Sequence, residues 1–319
     1  PPSAPSEEYS KEERLARAAL DRALIVRGGL LLPPWTLEIE KSATYFNASS
    51  DAISIDGFAI LPVLVVGDIV SERIRRDILR SAVTARLGLP RNFQLDIRFP
   101  YGYELERIVT ADNKERTQSA FGLGDLEIGL TRQLTKERGK LPDLLAGLRW
   151  KSTTGPDPFR LQSNEPALGT GFHRLQGTLT AAKANDPVVF FGGLSYTANL
   201  PARKPFRGLD LAAPEEEKVG RFDPGDTVGF QLGAALALNP ETSVSLGWEQ
   251  RFTRNTSLND RPLPGTFLTE ATFRVGTSYI YAAGRSVDVG IGIGLTRDAP
   301  DFQFTVAFPL RFSLLGNGR

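Results

Sequence analysis

Hydrophobic and polar residues alternate along most of the chain, most clearly at its C-terminal end. One set of alternate positions is apolar and the other is polar or small: Phe302, Phe304, Val306, Phe308, Leu310 and Phe312 against Gln303, Thr305 and Arg311. Successive side chains of a β-strand point to opposite faces, so this pattern predicts a strand with one hydrocarbon face. A half-buried strand of a soluble protein gives the same pattern. The interpretation therefore depends on how often the pattern recurs.

The alternation recurs in about twelve segments after residue 34. These segments are 35–47, 75–87, 93–104, 121–134, 143–154, 172–183, 188–200, 227–238, 242–254, 266–281, 286–297 and 301–312. Short turns between them (89–92, 135–142, 185–187, 239–241 and 282–285) alternate with long polar loops (109–120, 155–171, 201–226 and 255–265). Short turns on one rim and long loops on the other are typical of bacterial outer-membrane barrels.

Aromatic residues fall near both ends of these segments. Those at the predicted periplasmic end are Trp35, Phe93, Phe190, Tyr279, Tyr281 and Phe312, and those at the outer end are Tyr45, Tyr101, Tyr103, Trp150 and Tyr196. Two aromatic belts are expected where a barrel crosses the two membrane interfaces.

These patterns predict an all-β protein, a transmembrane antiparallel β-barrel of about twelve strands formed by residues 35–319. The expected location is the bacterial outer membrane, with outer-membrane lipid around the barrel. A soluble β-sandwich or soluble barrel is the alternative. It is disfavoured because the apolar side chains of twelve strands cannot fill so wide an interior.

Residues 1–34 form a second predicted unit, consisting of a leader, a helix over 6–27 and a hinge. Ser10 and Glu13 have the spacing of a capping box. The charged residues of the helix are Glu7, Glu8, Lys11, Glu12, Glu13, Arg14, Arg17, Asp21, Arg22 and Arg27, and the hinge residues are Gly28, Gly29, Pro33 and Pro34. A helix with its side chains is about 10 to 12 Å wide. We predict that it plugs the barrel, and a periplasmic spacer is the alternative.

The polar side of the alternation assigns charged residues of both signs to the lumen. They are Glu38, Glu40, Arg76, Arg80, Arg86, Asp96, Arg98, Glu104, Asp125, Glu127, Arg149, Lys151, Arg174, Glu249, Arg251, Glu270, Arg274, Asp288 and Arg311. Two interpretations stay open for them. They form ion pairs between neighbouring strands, or they receive the charged helix as a plug.

Composition narrows the function further. The net charge is +1, which argues against a nucleic-acid partner held by bulk electrostatics. Cysteine is absent, which excludes thiolate catalysis and thiolate metal sites. Methionine is absent as well, the initiator included, and a removed signal peptide or a truncation explains the missing initiator equally well. No stretch has the roughly 18 to 20 apolar residues of a membrane helix.

The sequence does not favour an enzyme, and we expect no cofactor. The dyad of outer-membrane phospholipases requires a serine two residues after a histidine. The single histidine of this chain is His173, and the residue at that position is Leu175. His173 is instead expected near the outer interface. The carboxylates Asp125 and Glu127 are better explained as pore lining than as an acid and base. Residues 51–69 are unusually apolar for an outer hairpin, and we expect them either to pack on neighbouring strands or to contact a passing chain or partner.

The sequence resembles the FapF-type outer-membrane transporters of functional-amyloid secretion. The motifs that carry this resemblance are 28-GGLLLPPWTLEIE-40, 57-GFAILPVLVVG-67, 75-RRDI-78 and 95-LDIRFPY-101. The resemblance spans the predicted helix and barrel, and its specific words lie in the first third of the chain. It implies a twelve-stranded homotrimer with an N-terminal plug helix, here 6–27, and a hinge at 28–34.

The resemblance also implies a function, which is export of an unfolded amyloid subunit from the periplasm to the cell surface. That cargo comes from the resemblance alone. A passive outer-membrane channel for small solutes, aromatic compounds among them, is the alternative, and a structural barrel with a closed pore is the third interpretation.

Overall fold

The computed structural model of the protein describes residues 20–21, 24–25, 29–49, 53–55, 58–60, 73–109, 115–160, 168–185, 187–207 and 217–315. The strands in this part of the chain are β1 Thr36–Ala48, β2 Ile53–Ile55, β3 Phe58–Ile60, β4 Arg73–Leu89, β5 Phe93–Val109, β6 Glu115–Leu123, β7 Glu127–Thr135, β8 Asp143–Lys151, β9 Arg174–Asn185, β10 Val188–Asn199, β11 Ala202–Arg207, β12 Glu217–Asp223, β13 Thr227–Ala237, β14 Thr242–Thr253, β15 Ser257–Leu258, β16 Arg261–Pro262, β17 Leu268–Ala282, β18 Arg285–Gly294 and β19 Phe302–Ser313.

Twelve of these strands form a closed antiparallel barrel. Their order is β1, β19, β18, β17, β14, β13, β10, β9, β8, β7, β5 and β4, and β4 pairs with β1 to complete the circle. The first and last strands meet in register, with Leu37 opposite Phe312. Each barrel strand has at least nine residues, as a membrane-spanning strand requires. The prediction of a twelve-stranded antiparallel barrel is confirmed.

The two faces of the barrel wall differ as the alternation predicts. On β19, Phe302, Phe304 and Phe308 are exposed on the outside, whereas Gln303 and Ala307 are buried on the inside. The same apolar exterior recurs on the other barrel strands. A closed barrel leaves no backbone edge unpaired in lipid, and its apolar exterior matches the hydrocarbon core of a membrane. The chain is therefore built as an outer-membrane barrel.

The two rims of the barrel differ in the length of their connections. The turns 90–92, 136–142, 186–187, 238–241 and 283–284 lie at one rim, called here the short-turn rim. The opposite rim, called the long-loop rim, carries the connections 152–173, 200–226 and 254–267. Several of the predicted loops contain strands. The strand β6 covers 115–123, and a separate four-stranded sheet is formed by β11, β12, β15 and β16.

The long-loop rim has a small core of its own. Phe172 and Phe222 are buried there, and Phe159 packs against them with ring centroids 5.6 and 4.9 Å away. The ammonium of Lys204 lies 2.5 Å from the Asp157 carboxylate and over the rings of Phe159 and Phe172. The loop after β8 and the hairpin of β11 and β12 therefore form one packed cap.

The predicted helix over 6–27 lies mostly outside the described residues. Four of its positions are described, Leu20, Asp21, Leu24 and Ile25, and their backbone is helical. The amide of Gly29 donates to the Leu24 carbonyl at 2.8 Å, which is the spacing of a Schellman end. In the described residues, no helix has both the length and the apolar character needed to cross a membrane. A plug helix stays a prediction.

Candidate functional site

The lumen of the barrel encloses a cavity of about 310 Å³, lined mainly by polar and charged side chains. Its wall comes from β1, β4, β5, β7 and β8 on one side and from β14, β17, β18 and β19 on the other. Glycines and hydroxyl side chains, such as Gly276, Ser243 and Ser245, occupy much of the second side. The sequence prediction assigned charges to the lumen but did not single out Gly276, Ser243 or Ser245.

A row of opposite charges crosses the place where the first and last strands meet. Arg311, Glu38, Arg86 and Asp96 are paired positions on β19, β1, β4 and β5. The fully buried Glu38 accepts from Arg86 Nη1 and from Arg311 Nε, each at 2.6 Å. Glu40 accepts a second bond from Arg86 at 2.8 Å. One carboxylate thus links three adjacent strands.

A second row follows on the next strands. Arg98, Glu127, Lys151 and Arg174 occupy paired positions on β5, β7, β8 and β9. Glu127 Oε2 lies 3.3 Å from Arg149 Nη1, and its Oε1 lies 3.9 Å from Arg98 Nη1. The two rows together, on the inner face of β19, β1, β4, β5, β7, β8 and β9, are called here the ionic wall. Its contacts agree with the interpretation of ion pairing between neighbouring strands.

Charges on the far side of the lumen form a separate group. Glu249 contacts Arg251 on its own strand and Arg274 on β17, the latter at 3.2 Å. Arg251 and Glu270 are paired across β14 and β17. These residues also line a second cavity of about 70 Å³ next to Phe46. Asp288 lines the larger cavity from β18.

Asp125 has a different role from the one its sequence position suggests. It lies between β6 and β7 rather than on a strand with Glu127. Its buried carboxylate accepts from the amides of Gly155 and Thr170 and from the Thr170 hydroxyl, at 3.0, 2.9 and 2.7 Å. Leu168 of the same loop packs over Gly122 on the inner face of the wall. Asp125 therefore fixes the loop after β8 to the barrel.

The inner wall also contains an apolar region that the sequence prediction missed. Ala182, Val189, Phe191 and Ala235, from β9, β10 and β13, are buried together on the inner face and are called here the apolar patch. The Phe191 ring lies so close to Gly233 that a Cβ there would be 2.3 Å from its Cζ. The sequence contains a signal for this patch. The four consecutive apolar residues at 188–191 place hydrocarbon on both faces of one strand.

The N-terminal segment, residues 29–35, runs along the inner wall at the short-turn rim. Leu24, just before it, packs against the apolar patch together with Leu20 and Leu30. The amide of Leu32 donates to Gln94 Oε1 at 2.9 Å. The Pro33 carbonyl passes over Gly88, where a Cβ would lie only 2.0 Å from its oxygen. The segment thus spans from the apolar patch to the ionic wall.

Other predicted site residues are placed as follows. Arg80 lies on the inner face of β4, with its Cγ 3.4 Å from the position of a Cβ on Gly102. Arg76 and Glu104 belong to β4 and β5, but their side chains are outside the described part of the structure. The predicted helix charges other than Asp21, and the hinge residue Gly28, lie outside the described residues.

His173 lies just before β9 with an exposed side chain that stacks on Trp150 at 5.7 Å between ring centroids. This position agrees with the interfacial place predicted for it. Among the described residues, no group of three His, Cys, Asp or Glu side chains is arranged to hold a metal ion.

A closed twelve-stranded barrel with an apolar exterior and an ionic lumen defines an outer-membrane β-barrel protein. No protein-family model matches the chain. Its structure is similar to a COG4313 outer membrane channel from Pseudomonas putida F1, with a TM-score of 0.61, 12% identity, and coverage of 88% of this chain and 97% of that one.

Two further solved structures are less similar. The transport unit of the autotransporter AIDA-I from Escherichia coli has a TM-score of 0.48 at 10% identity, over 93% of this chain and 98% of that one. The porin NanC has a TM-score of 0.45 at 7% identity, over 85% and 98%. At 12% identity, the similarity to the COG4313 channel establishes the fold alone. The resemblance to FapF-type transporters stays a prediction.

Proposed function

We propose that this protein is a passive outer-membrane channel for small solutes. The observation that carries the proposal is the cavity of about 310 Å³ inside a closed barrel, lined by charged side chains, hydroxyls and glycines. A polar lining of this kind keeps water in the part of the lumen that side chains do not fill. It suits a path in which water and polar solutes replace one another.

The ion pairs of the lumen support passive movement over a switched mechanism. Glu38 and Glu127 are held by arginines on neighbouring strands, so the wall is braced at the level of the cavity. Solutes would cross by diffusion past fixed charges, with no energy source. The similarity in fold to the Pseudomonas putida channel is in keeping with this function.

Export of an unfolded amyloid subunit and assembly as a homotrimer remain predictions of the family resemblance. The contact of Leu24 with the apolar patch places the N-terminal segment inside the barrel, which both functions allow, and no contact among the described residues bears on the cargo or on a trimer. The two functions differ in one measurable property, because a solute channel conducts at all times and a plugged exporter conducts only when its helix is displaced.

The test is swelling of proteoliposomes that contain the full chain, in isotonic solutions of uncharged sugars of increasing size. A channel gives steady swelling with a size limit. Ser245 and Leu246 offer a matched pair, since they are neighbours on β14 with Ser245 at the cavity and Leu246 exposed outside. Ser245→Trp should slow swelling severalfold, and Leu246→Trp should leave it unchanged.

The contrary result is equally clear. If the full chain gives neither swelling nor current, and removal of residues 6–27 produces both, the protein is a plugged exporter and the channel proposal is wrong.

A further inference from the structure

The charges that line the large cavity are balanced by number. They are the carboxylates Glu40, Asp96, Glu127 and Asp288 and the arginines Arg86, Arg98, Arg149 and Arg274. Because four negative charges face four positive ones, their number alone favours neither anions nor cations. The positions of the charges within the wall give a different result.

The arginine side chains are more exposed to the cavity than the carboxylates. The exposed fractions are 44% for Arg149, 35% for Arg274 and 28% for Arg98. Those of the carboxylates are 5% for Glu127, 11% for Asp96 and 12% for Glu40. A solute in the lumen therefore meets guanidinium groups first.

The carboxylates are withdrawn because their neighbours hold them at the wall. Glu40 accepts two bonds from Arg86, and Glu127 lies within 4 Å of both Arg149 and Arg98. A glutamate side chain is also shorter than an arginine. Its charge stays near the strand while the arginine head extends beyond it toward the axis.

Glycines leave space around the two most exposed arginines. Arg149 is paired with Gly129 on β7, and its Nε lies 3.6 Å from the position of a Cβ at that glycine. Arg274 lies between Gly247 on β14 and Gly292 on β18. Because glycine stands beside Arg149 on β7 and on both sides of Arg274, both guanidinium heads have room to turn toward a passing solute.

We propose that the lumen favours small organic anions, carboxylates in particular, and that Arg149 and Arg274 confer this preference. The inference deepens the channel function and rests on it. A guanidinium presents paired N–H donors that match the two oxygens of a carboxylate. Arg149 contacts Glu127 through Nη1 and Arg274 contacts Glu249 through Nη2, and each side chain keeps an exposed part that can meet a solute.

Salt concentration should modulate the preference in a defined way. The Debye length is about 10 Å at 0.1 M salt and about 3 Å at 1 M. The field of the arginines therefore reaches across a lumen of this size at low salt and is confined to its wall at high salt.

The test is the reversal potential of the full chain in a planar bilayer, under a gradient of potassium chloride and then of potassium benzoate. We expect the anion to permeate over potassium by a factor of about 3 or more at 0.1 M and by a factor near 1 at 1 M. The double variant Arg149→Gln and Arg274→Gln should bring the low-salt ratio to about 1 or below. The corresponding Lys variant should keep most of it.

Arg132→Gln is the control for a charge removed outside the lumen, because Arg132 lies outside the barrel over the Phe93 ring. It removes one positive charge, where the double variant removes two. It should leave the permeability ratio unchanged. Heat-dependent migration on gels checks that each variant is folded.

The outcomes separate the inference from the function beneath it. A conducting pore that prefers potassium, or whose ratio is the same in the Gln variant, overturns the inference and leaves the channel intact. Absence of any current from the full chain contradicts the channel, and with it the inference.

Discussion

The ionic wall and the apolar patch lie in the same lumen, but the first stabilises the barrel and the second stabilises the docking of the N-terminal segment. On the ionic wall, Glu38 joins β1 to β4 and β19 through two arginines, so its contacts connect parts of the barrel to one another. In the apolar patch, Val189 and Phe191 pack against Leu24, which belongs to the N-terminal part of the chain. The comparison shows that opposite charges brace the wall, whereas hydrocarbon docks a separate segment onto it.

The charged side chains of the predicted helix, Asp21 excepted, lie outside the described residues, so their pairing with the lumen stays a prediction. The comparison nevertheless shows how the described end of the N-terminal part is held. In the described residues it is held by the apolar contact of Leu24 and by the bond from the Leu32 amide to Gln94. Burial of one leucine side chain contributes about 1.5 to 3 kcal/mol, more than a typical exposed ion pair.

The largest effect is expected in the ionic wall. Glu38→Gln removes the charge that pairs with Arg86 and Arg311 while it keeps the shape of the side chain. We expect the free energy of unfolding to fall by about 3 kcal/mol, because two partly buried arginines lose a shared partner. Urea unfolding in lipid vesicles measures it.

Glu241→Gln provides the comparison for that variant, since Glu241 is exposed in the turn between β13 and β14. It should change the unfolding free energy little. Equal effects of the two substitutions would show that Glu38 does not brace the barrel.

The apolar patch should give the next largest effect. Leu24→Ala removes the side chain that packs on the patch, and we expect the docked state of the segment to lose about 2 kcal/mol. Barrel unfolding should change less. Hydrogen exchange of the Leu32 and Trp35 amides measures the docking, because the first donates to the Gln94 side chain on the inner wall and the second to the Gly88 carbonyl of β4. Unaltered exchange would mean that the patch does not hold the segment.

A substitution at Gly88 tests the contact between the N-terminal segment and β4. A methyl group there would lie 2.0 Å from the Pro33 oxygen, so Gly88→Ala must displace the segment or the strand. We expect a cost of about 1 to 3 kcal/mol in docking, seen as faster exchange at Trp35. Gly177→Ala, where the added methyl group meets open space, should have a much smaller effect.

The smallest effect should come from an ion pair outside the lumen. Arg221 contacts Asp260 at 2.6 Å in the cap, and both side chains are largely exposed. Arg221→Ala should lower the unfolding free energy by less than about 1 kcal/mol. A loss as large as that of Glu38→Gln would remove the distinction between lumen and surface pairs.

The barrel was predictable from sequence because alternation reports directly on a wall with lipid on one side. The strands predicted at 35–47, 188–200 and 242–254 agree with β1, β10 and β14 to within one residue. The strands β15 and β16 were missed, because they have two residues each, too few to show a period. Asn259 and Asp260, both with positive φ, form the turn between them.

The lumen was predictable as a set of charges but not as an arrangement. Parity places Arg149 and Glu127 on the inside, but it does not show that the arginine extends into the cavity while the carboxylate stays at the wall. That difference depends on strand register, which puts Gly129 beside Arg149. The docking of Leu24 on Phe191 depends on tertiary contacts that no local pattern contains.

The most direct test concerns the claim that the apolar face meets lipid and the polar face encloses water. The chain has no cysteine, so single cysteines can be introduced at the neighbouring positions 303 and 304 without interference. In lipid vesicles, Gln303→Cys should react with a small water-soluble thiol reagent, and a fluorophore at Phe304→Cys should be quenched by brominated lipid. The reverse pattern, with position 304 reactive and position 303 quenched, would contradict the account.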